Sequence, residues 1–306
     1  MKLRYKILVI SVFAIITLST VALLIRRYGL PKTSRQKYIT SQMEIAGSYL
    51  GQFRLNPEQP KLLDNAMELY QKILKSDPNQ KKAIEMVAEI YTFKTEYLKA
   101  QELYNKLIKL EPRNMKYHIN VGFFYLAQDK KNEAFEKANF AILNDPENSR
   151  AYFLRAIIYE KDRNLSAAIA DYKRAIAAAK KDEDKYRNIS IYLNLGYLYS
   201  RLGLNYDAVQ QYEKVVKLWP KVSEGHLALA QFYTDRGLFD KAVDALNALI
   251  NMDKNSARGY YGLGIAYLKK GEAKSAYAYF KKAGSLGAQV DDTLMQKLAE
   301  QAKDAK

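Results

Sequence analysis

Apolar residues recur along this 306-residue chain with the spacing of short helices, and residues 189–222 show the pattern most clearly. Tyr192, Leu195 and Tyr199 are three and four residues apart there, which places them on one face of a helix. Gly203 interrupts the pattern, and a second apolar stripe follows it. The segment therefore predicts two short antiparallel helices joined by a turn.

Gly196 falls inside the first stripe, at the point where the two predicted helices would cross. A residue without a side chain lets two helix backbones approach closely, and overpacking such a site typically costs about 1–3 kcal/mol. We therefore expect Gly196 to be required for packing.

The same two stripes return at intervals of about 34 residues over most of the chain. The series aromatic-x2-Leu-Gly-x2-Tyr, followed by Ala-x3-aromatic and Pro, resembles the tetratricopeptide repeat, a helix-turn-helix unit. Many of the 25 tyrosines fall on these core positions, which explains them better than base stacking or a cofactor would. The tyrosines that end the first stripe of successive repeats are Tyr91, Tyr125, Tyr159, Tyr199, Tyr233 and Tyr267.

The resemblance implies an all-α fold, a right-handed helical-repeat solenoid whose units bury their apolar faces against their neighbours. We expect it to follow a basic N-terminal tail (1–6), one transmembrane helix (7–25) and a basic juxtamembrane linker (26–34). An N-terminal helix with a degenerate repeat (35–80) would open the array, and a C-terminal capping helix (291–306) would close it. The six predicted repeats span 81–290 and cover 81–114, 115–148, 149–188, 189–222, 223–256 and 257–290.

Residues 7–25 are uncharged and largely apolar, a run long enough to cross a bilayer as a helix. A cleaved signal peptide is the alternative, because Lys2, Arg4 and Lys6 form a basic n-region. The length of the run and its lack of a helix-breaking Gly or Pro favour a retained anchor. Cleavage would instead leave a soluble exported protein.

Basic residues are concentrated beside this run. Eight basic and no acidic residues fall within residues 1–37, so half of the net charge of +16 lies there. Because basic residues flank both ends of the run, the positive-inside rule favours a cytoplasmic repeat array only slightly over an exported one. The basic residues after the run should attract anionic lipid headgroups, at about 1 kcal/mol each near the surface. They are Arg26, Arg27, Lys32, Arg35 and Lys37.

Catalytic chemistry finds little support in the sequence. The chain contains no cysteine, which excludes disulfides, thiolate metal sites and a cysteine nucleophile. Its two histidines, His118 and His226, occupy the aromatic position of the repeat, so we expect them to pack in the core. We therefore predict a non-catalytic protein with no cofactor and no metal site.

Two features depart from the repeat. The charged run KKDEDK at residues 180–185 lengthens one unit, and we expect it to extend the second helix of that unit into solvent. Arg155 occupies a position that is apolar in the other repeats, so its guanidinium must reach solvent or find an acid. We expect it to reach solvent, with a buried polar link to a partner as the alternative.

The resemblance also implies a concave groove lined by the first helices of successive repeats, within residues 115–290. Side chains at the groove positions are mostly apolar and aromatic, so the expected ligand is an apolar helix or an extended peptide of a partner protein. Packing against neighbouring helices is the alternative role for these side chains. The predicted groove residues are Ile119, Asn120, Phe123, Phe153, Ile157, Leu193, Asn194, Tyr197, Leu227, Gln231, Tyr261 and Ile265.

The carboxylate clamp of the family's chaperone-binding members is not expected here. The first repeat offers Glu85 and Glu89 where the clamp needs cations. The working hypothesis is therefore a membrane-anchored scaffold that holds a protein partner at the bilayer. A basic surface that binds anionic lipid or nucleic acid through residues 26–37 is the alternative, although the mixed charge of the repeats does not favour nucleic acid.

Overall fold

The computed structural model describes residues 32–179 and 185–304, which form fifteen α-helices and, within those ranges, no strand. The predicted transmembrane helix at 7–25 lies outside the described residues. None of the helices in the described ranges is long and apolar enough to span a bilayer.

Within each unit the helices pair as successive hairpins, which confirms an all-helical array of tetratricopeptide-like repeats. First helices begin at Lys81, Met115, Ser149, Ser223 and Ala257, at the start of predicted repeats. In chain order the helices are α1 (Lys32–Leu55), α2 (Pro60–Ser76), α3 (Lys81–Phe93), α4 (Tyr97–Leu110), α5 (Met115–Ala127), α6 (Lys131–Asn144), α7 (Ser149–Lys161), α8 (Leu165–Ala178), α9 (Lys185–Arg201), α10 (Asn205–Leu218), α11 (Ser223–Asp235), α12 (Phe239–Met252), α13 (Ala257–Lys270), α14 (Ala273–Ser285) and α15 (Asp292–Asp304).

The chain divides into two compact units, with the boundary inside α5 after Phe124. In the first unit α1 packs on α2, α2 on α3 and α3 on α4. Leu50, Tyr70 and Ile90 are buried between these helices, and the Phe53 and Phe93 rings meet edge to face. The apolar stripe of each helix is thus covered by its neighbours in the chain.

The second unit stacks four complete hairpins, α7–α8, α9–α10, α11–α12 and α13–α14, and ends with α15. Helix α15 packs on α14, where Leu298 is buried beside Ala276 and Phe280. The core is therefore distributed along the stack, hairpin by hairpin, as expected for repeats that bury surface only against their neighbours.

In each predicted repeat from 81–114 to 257–290, the turn after the first helix contains one residue in the left-handed region, at the same repeat position. Glycine adopts this conformation without strain, whereas other residues pay for the clash of their Cβ atom. Glycine fills the position in three turns, at Gly203, Gly237 and Gly271 (φ 74°, 71° and 86°), and Thr95, Asp129 and Arg163 fill it in the others (φ 59°, 57° and 59°).

Two glycines stand where the helices of a hairpin come closest. A Cβ atom on Gly196 would lie 2.6 Å from Cε1 of Tyr212, and one on Gly264 would lie 2.6 Å from Cδ1 of Phe280. Carbon atoms do not approach so closely, so each aromatic ring occupies the space that a side chain at the glycine would need.

We expect Gly196→Ala to destabilise the fold by about 1–3 kcal/mol, because the buried Tyr212 ring must move to accept the methyl group. Denaturant unfolding of the full chain measures this loss. Gly51→Ala is the matched control, since Gly51 also lies within a helix but has no neighbour within 4 Å of its Cβ position. The control should be neutral or slightly stabilising; an equal loss in both variants would contradict the packing role.

The extra residues of the long repeat extend a first helix, and the expectation of a longer second helix was wrong. Helix α8 ends at Ala178 and has 14 residues, the same length as α10. Helix α9 begins at Lys185 and has 17 residues, whereas α7 and α11 have 13. Residues 185–188 precede the predicted start of the repeat at 189 and contain no Gly or Pro, so they can join the helix.

Arg155 is held by an acid inside its own hairpin, which corrects the expectation that it reaches solvent. Its Nε donates to Oδ2 of Asp171 at 2.6 Å and its Nη2 donates to Oδ1 at 3.0 Å. A third bond runs from Nη1 to Oδ1 of Asn139 at 2.6 Å. The side chains of Arg155 and Asp171 are 14% and 2% exposed, so this is a buried ion pair between α7 and α8.

Removing one partner of this pair should be costly, because it leaves the other charge buried without compensation. We expect Asp171→Asn to lower the free energy of unfolding by about 3–5 kcal/mol. Asp162→Asn, which breaks the exposed pair with Lys131, should cost less than about 1 kcal/mol.

Denaturant midpoints of the two variants test this difference. The double variant Arg155→Met with Asp171→Leu should recover most of the loss, since apolar replacements of similar volume often match a buried pair. Equal losses of unfolding free energy in Asp171→Asn and Asp162→Asn would show that burial does not make the Arg155–Asp171 pair more costly to break.

Candidate protein-binding cleft

Helices α11 and α13 each divide their apolar residues between two faces. Leu229 is buried in the core shared by α7 to α11, and Leu263 is buried in the core that contains Leu246 of α12. Leu227 and Gln231, four residues apart, lie on another face of α11. Tyr261 and Ile265, also four residues apart, lie on the equivalent face of α13. Residues four apart share a helix face, so each helix contributes a stripe to the same side.

These two stripes line a cleft of about 710 Å³. Leu246 of α12 forms part of its lining, and the segment Leu286–Gln289 between α14 and α15 adds a further wall. Four predicted groove residues meet in this cleft, and they are Leu227, Gln231, Tyr261 and Ile265. The remaining lining includes Ala228, Ala230, Thr234, Ala257, Arg258 and Gly262.

Helices α12 and α13 approach each other closely at Gly262, in the lining of the cleft. A Cβ atom at this position would lie 2.6 Å from Cδ2 of Leu246. Any side chain there would displace Leu246, so the absence of a side chain helps to set the shape of the cleft.

The charged groups around the cleft are paired with each other. Arg258 Nη1 lies 3.4 Å from Oε1 of Glu224, and Lys269 Nζ lies 2.8 Å from Oδ1 of Asp235. Gln231 donates from Nε2 to Oδ2 of Asp235 at 2.8 Å. Burial would raise the pKa of Asp235, but the hydrogen bonds from Lys269 and Gln231 outweigh it and hold that pKa below its usual value. The cleft therefore has an apolar interior and a rim whose charges are compensated.

The other predicted groove residues of this unit lie outside the cleft. Phe153, Ile157 and Leu193 are half-buried and pack against the core shared by α7 to α11. Tyr197 is 56% exposed, and the guanidinium carbon of Arg201 lies 5.7 Å from its ring centre. The same kind of packing is present at Leu227 and Ile265 within the cleft, so it does not by itself separate the two roles considered for these positions.

A polar network connects three helices beside Tyr197. The Tyr172 hydroxyl donates to Oε2 of Glu160 at 3.0 Å, and Arg201 donates to the other oxygen at 3.1 Å. Asn194 also hydrogen-bonds the Tyr172 hydroxyl, and burial raises the pKa of Tyr172 well above its ordinary value. The predicted groove residue Asn194 is therefore engaged within the protein.

The remaining predicted groove residues, Ile119, Asn120 and Phe123, belong to α5 in the first unit. Ile119 has no exposed surface, so its side chain serves the core and offers nothing to a partner. Asn120 and Phe123 are half-buried. We leave Ile119 out of the proposed binding surface.

The acidic residues at the clamp positions are paired within the first unit. Glu85 is buried and contacts Lys116 and, at 3.2 Å, Lys82. Burial would raise the pKa of Glu85, but the two lysines outweigh it and hold that pKa below its ordinary value. Glu89 pairs with Arg54. The two clamp positions thus hold paired carboxylates, whereas a carboxylate clamp requires positive charge at these positions.

Both histidines are buried, as their repeat position predicts. The Nε2 atom of His118 lies 2.8 Å from the carbonyl oxygen of Pro112, and that of His226 lies 3.4 Å from the carbonyl oxygen of Pro220. No group of three metal-ligating side chains occurs among the described residues.

A cation covers the ring at this same repeat position wherever it is a tyrosine. Arg174 lies 5.9 Å from the ring centre of Tyr152, and Lys214 lies 5.9 Å from that of Tyr192. The third pair is Lys282 and Tyr260, at 5.8 Å. In the repeat of His226 the equivalent position holds Ala248. The repeat of His226 therefore lacks the cation that accompanies the tyrosine in these three repeats.

Of the five basic residues predicted to contact lipid, two have described side chains. Arg35 donates a hydrogen bond to the carbonyl oxygen of Ser76, and Lys37 is exposed. Lys32 begins α1, and Arg26 and Arg27 lie outside the described residues.

Sequence reasoning missed the wall formed by Leu286–Gln289 and the contribution of Leu246. The length of the segment between α14 and α15 could have indicated this wall, because it has six residues whereas the segment between α12 and α13 has four. Leu246 is buried in the core and also lines the cleft.

Comparison with known proteins supports the repeat assignment. Tetratricopeptide repeat family models match residues 125–183, 189–221, 231–271 and 257–286. The chain is 25% identical over 138 residues to the protein CTR9 homolog of Arabidopsis thaliana, a match that covers 45% of this chain and only 12% of that protein.

Two solved structures share the fold. A tetratricopeptide repeat protein from Parabacteroides merdae ATCC 43184 is 16% identical with a TM-score of 0.57, and the match covers 87% of this chain and 99% of that one. A chain in the crystal structure of the APC/C hetero-tetramer Cut9-Hcn1 is 14% identical with a TM-score of 0.57, and the match covers 92% of this chain and 58% of that one. These comparisons confirm the tetratricopeptide repeats, a scaffold suited to protein–protein interaction.

Proposed function

We propose that this protein is a non-catalytic scaffold that binds a segment of a partner protein in the cleft between α11 and α13. The cleft itself carries the proposal, because it brings four groove positions from two neighbouring repeats together around an apolar interior. Its volume falls within the range of about 300–1,000 Å³ that is typical of ligand sites.

The chemistry of the cleft favours an apolar, uncharged segment. Leu227, Leu246 and Ile265 line it, and Arg258, the charged residue in its described lining, pairs with Glu224. A charged ligand group in the apolar interior would be desolvated without compensation. An apolar side chain gains from burial at roughly 25 cal/mol per Å² of apolar surface.

The repeat architecture supports the same function. Stacked hairpins present one helix face of each repeat to solvent, and such surfaces suit the binding of protein segments. The Cut9-Hcn1 hetero-tetramer is an assembly in which a chain of similar fold occurs together with a second protein.

Linear peptides selected from a random display library against the full chain provide the test. We expect Ile265→Asp and Tyr261→Asp each to weaken binding roughly tenfold or more, because a buried charge without a partner costs about 1–3 kcal/mol or more. Binding is measured by fluorescence anisotropy, and circular dichroism with thermal melting confirms that each variant is folded.

Two control variants define the limits of the site. Tyr206→Asp changes a residue that is 75% exposed and lies outside the cleft, so its affinity should match the wild type. Tyr197→Asp should also bind normally if the cleft is the site, whereas a loss there would extend the site along α9. Unchanged binding in both cleft variants would overturn the proposal.

We further propose that residues 7–25 anchor the scaffold in a membrane, so that the bound partner is held at the bilayer. The length and apolar character of this run support the anchor, and the adjacent basic residues support contact with anionic lipid. A cytoplasmic repeat array is slightly favoured over an exported one by the positive-inside rule.

Alkaline extraction of membranes, combined with protease treatment of intact and permeabilised cells carrying a C-terminal tag, tests the anchor and its orientation. We expect the full chain to stay in the membrane pellet and the tag to be protected both in intact cells and in cells with a permeabilised outer layer. A tag cut once the outer layer is permeabilised would place the array on the exported side. Release by alkali together with a shortened N-terminus would show cleavage and a soluble exported protein. Release by high salt alone would favour the alternative function, a basic surface that binds anionic lipid through residues 26–37.

A further inference from the structure

The segment Leu286–Gln289 owes its position to the way α14 ends. Gly287 adopts a left-handed conformation with φ 93°, and the N–H of Ala288 donates to the carbonyl oxygen of Ala283 at 3.0 Å. The N–H of Gly287 donates to the carbonyl oxygen of Gly284 at 3.0 Å. A left-handed glycine after the last helical turn, with a bond from the next residue back across that turn, reverses the chain direction at a helix end.

The other second helices of this unit end differently. The residue after α10, Trp219, and the residue after α12, Asp253, each donate one bond back into the helix from an extended or near-extended backbone. Only four residues then lead to the next helix in each case, against six after α14. The longer segment is held on its far side by α15, which is anchored by buried Leu298.

The backbone of this segment has hydrogen-bonding capacity that the described residues leave unused. None of the carbonyl oxygens of Leu286, Gly287, Ala288 and Gln289 accepts a hydrogen bond from any described residue, and the N–H of Gln289 makes no backbone bond within the described ranges. Helical residues elsewhere in the cleft lining use these groups within their own helix. The cleft therefore has apolar side chains on two walls and, on the third, a backbone segment whose carbonyl oxygens make no hydrogen bond among the described residues.

We propose that Leu286–Gln289 is a backbone-recognition edge that selects an extended partner segment over a helical one. The inference rests on the proposed function of the cleft. The bound segment donates backbone N–H groups to the carbonyl oxygens of Leu286–Gln289 and places an apolar side chain between Leu227 and Ile265. A helix has already satisfied its own N–H groups, except at its first turn, and cannot pair with this edge.

The neutral character of the cleft is consistent with this mode of recognition. Arg258 is the charged residue in the described lining, and it pairs with Glu224 at the surface. Hydrogen bonds can orient a bound segment, and the carbonyl oxygens of the edge offer acceptors for them beside the side chains of Gln231, Tyr261 and Gln289.

Peptides selected from a random linear ten-residue library against the full chain are the probe. A scan in which each backbone N–H of one selected peptide is replaced by N-methyl should show one or two positions where affinity falls at least tenfold, corresponding to lost N–H donors. The bound peptide should show no helical circular dichroism signal beyond that of the two free components.

Gly287→Ala and Gly203→Ala form the matched pair of protein variants. Both glycines end a helix in the left-handed conformation and have no neighbour within 4 Å of the Cβ position, but only Gly287 lines the cleft. We expect Gly287→Ala to reduce affinity at least tenfold and Gly203→Ala to leave it unchanged. Thermal melting of both variants shows whether they share the same cost in stability.

The outcomes separate this inference from the function on which it rests. The recognition edge would be overturned, with the cleft still the binding site, by any of three results for peptides that lose affinity for Ile265→Asp. Such peptides would bind as helices, tolerate every N-methyl group or keep their affinity for Gly287→Ala. Peptides that also ignore Ile265→Asp would overturn the proposed function itself.

Discussion

The close approach of two helices within each hairpin is the constraint on which the rest of the structure depends. At Gly196 and Gly264 an aromatic ring from the second helix occupies the space where a side chain would stand on the first. This contact fixes the separation of the two helices, and the separation decides which residues of the first helix remain at the surface. Leu227 and Gln231 on α11 and Tyr261 and Ile265 on α13 line one cleft from equivalent positions of neighbouring first helices.

Much of the fold follows from the repeat period, because a repeat that buries its apolar face only against its neighbours leaves a local signature. The positions of the helices, the packing role of Gly196 and the burial of His118 and His226 could all be predicted on that basis. Part of the cleft could be predicted as well, since groove positions are defined by their place in the repeat. Ile119 shows the limit of that rule, because its side chain is fully buried although it occupies a groove position.

Departures from the period were harder to predict. Arg155 could be recognised as unusual, but its acidic partner lies sixteen residues away on the other helix of the hairpin, and no spacing rule points to Asp171. The longer α9 depends on which of two helices continues into an insertion, a choice set by small differences in helix propensity. The wall at Leu286–Gln289 depends on a single left-handed glycine at the end of α14.

The left-handed turn residues also determine where the array is weakest. Thr95, Asp129 and Arg163 each hold a conformation that costs about 1 kcal/mol or more for a residue with a side chain, whereas the later hairpins turn through glycine. In a repeat protein each repeat carries the cost of its own turn. Amide protons in the repeats with strained turns should therefore exchange with a lower free energy of opening than those nearer the C-terminus. The α11–α12 and α13–α14 hairpins would then stay closed while earlier parts of the chain fluctuate, and the cleft would persist through partial unfolding.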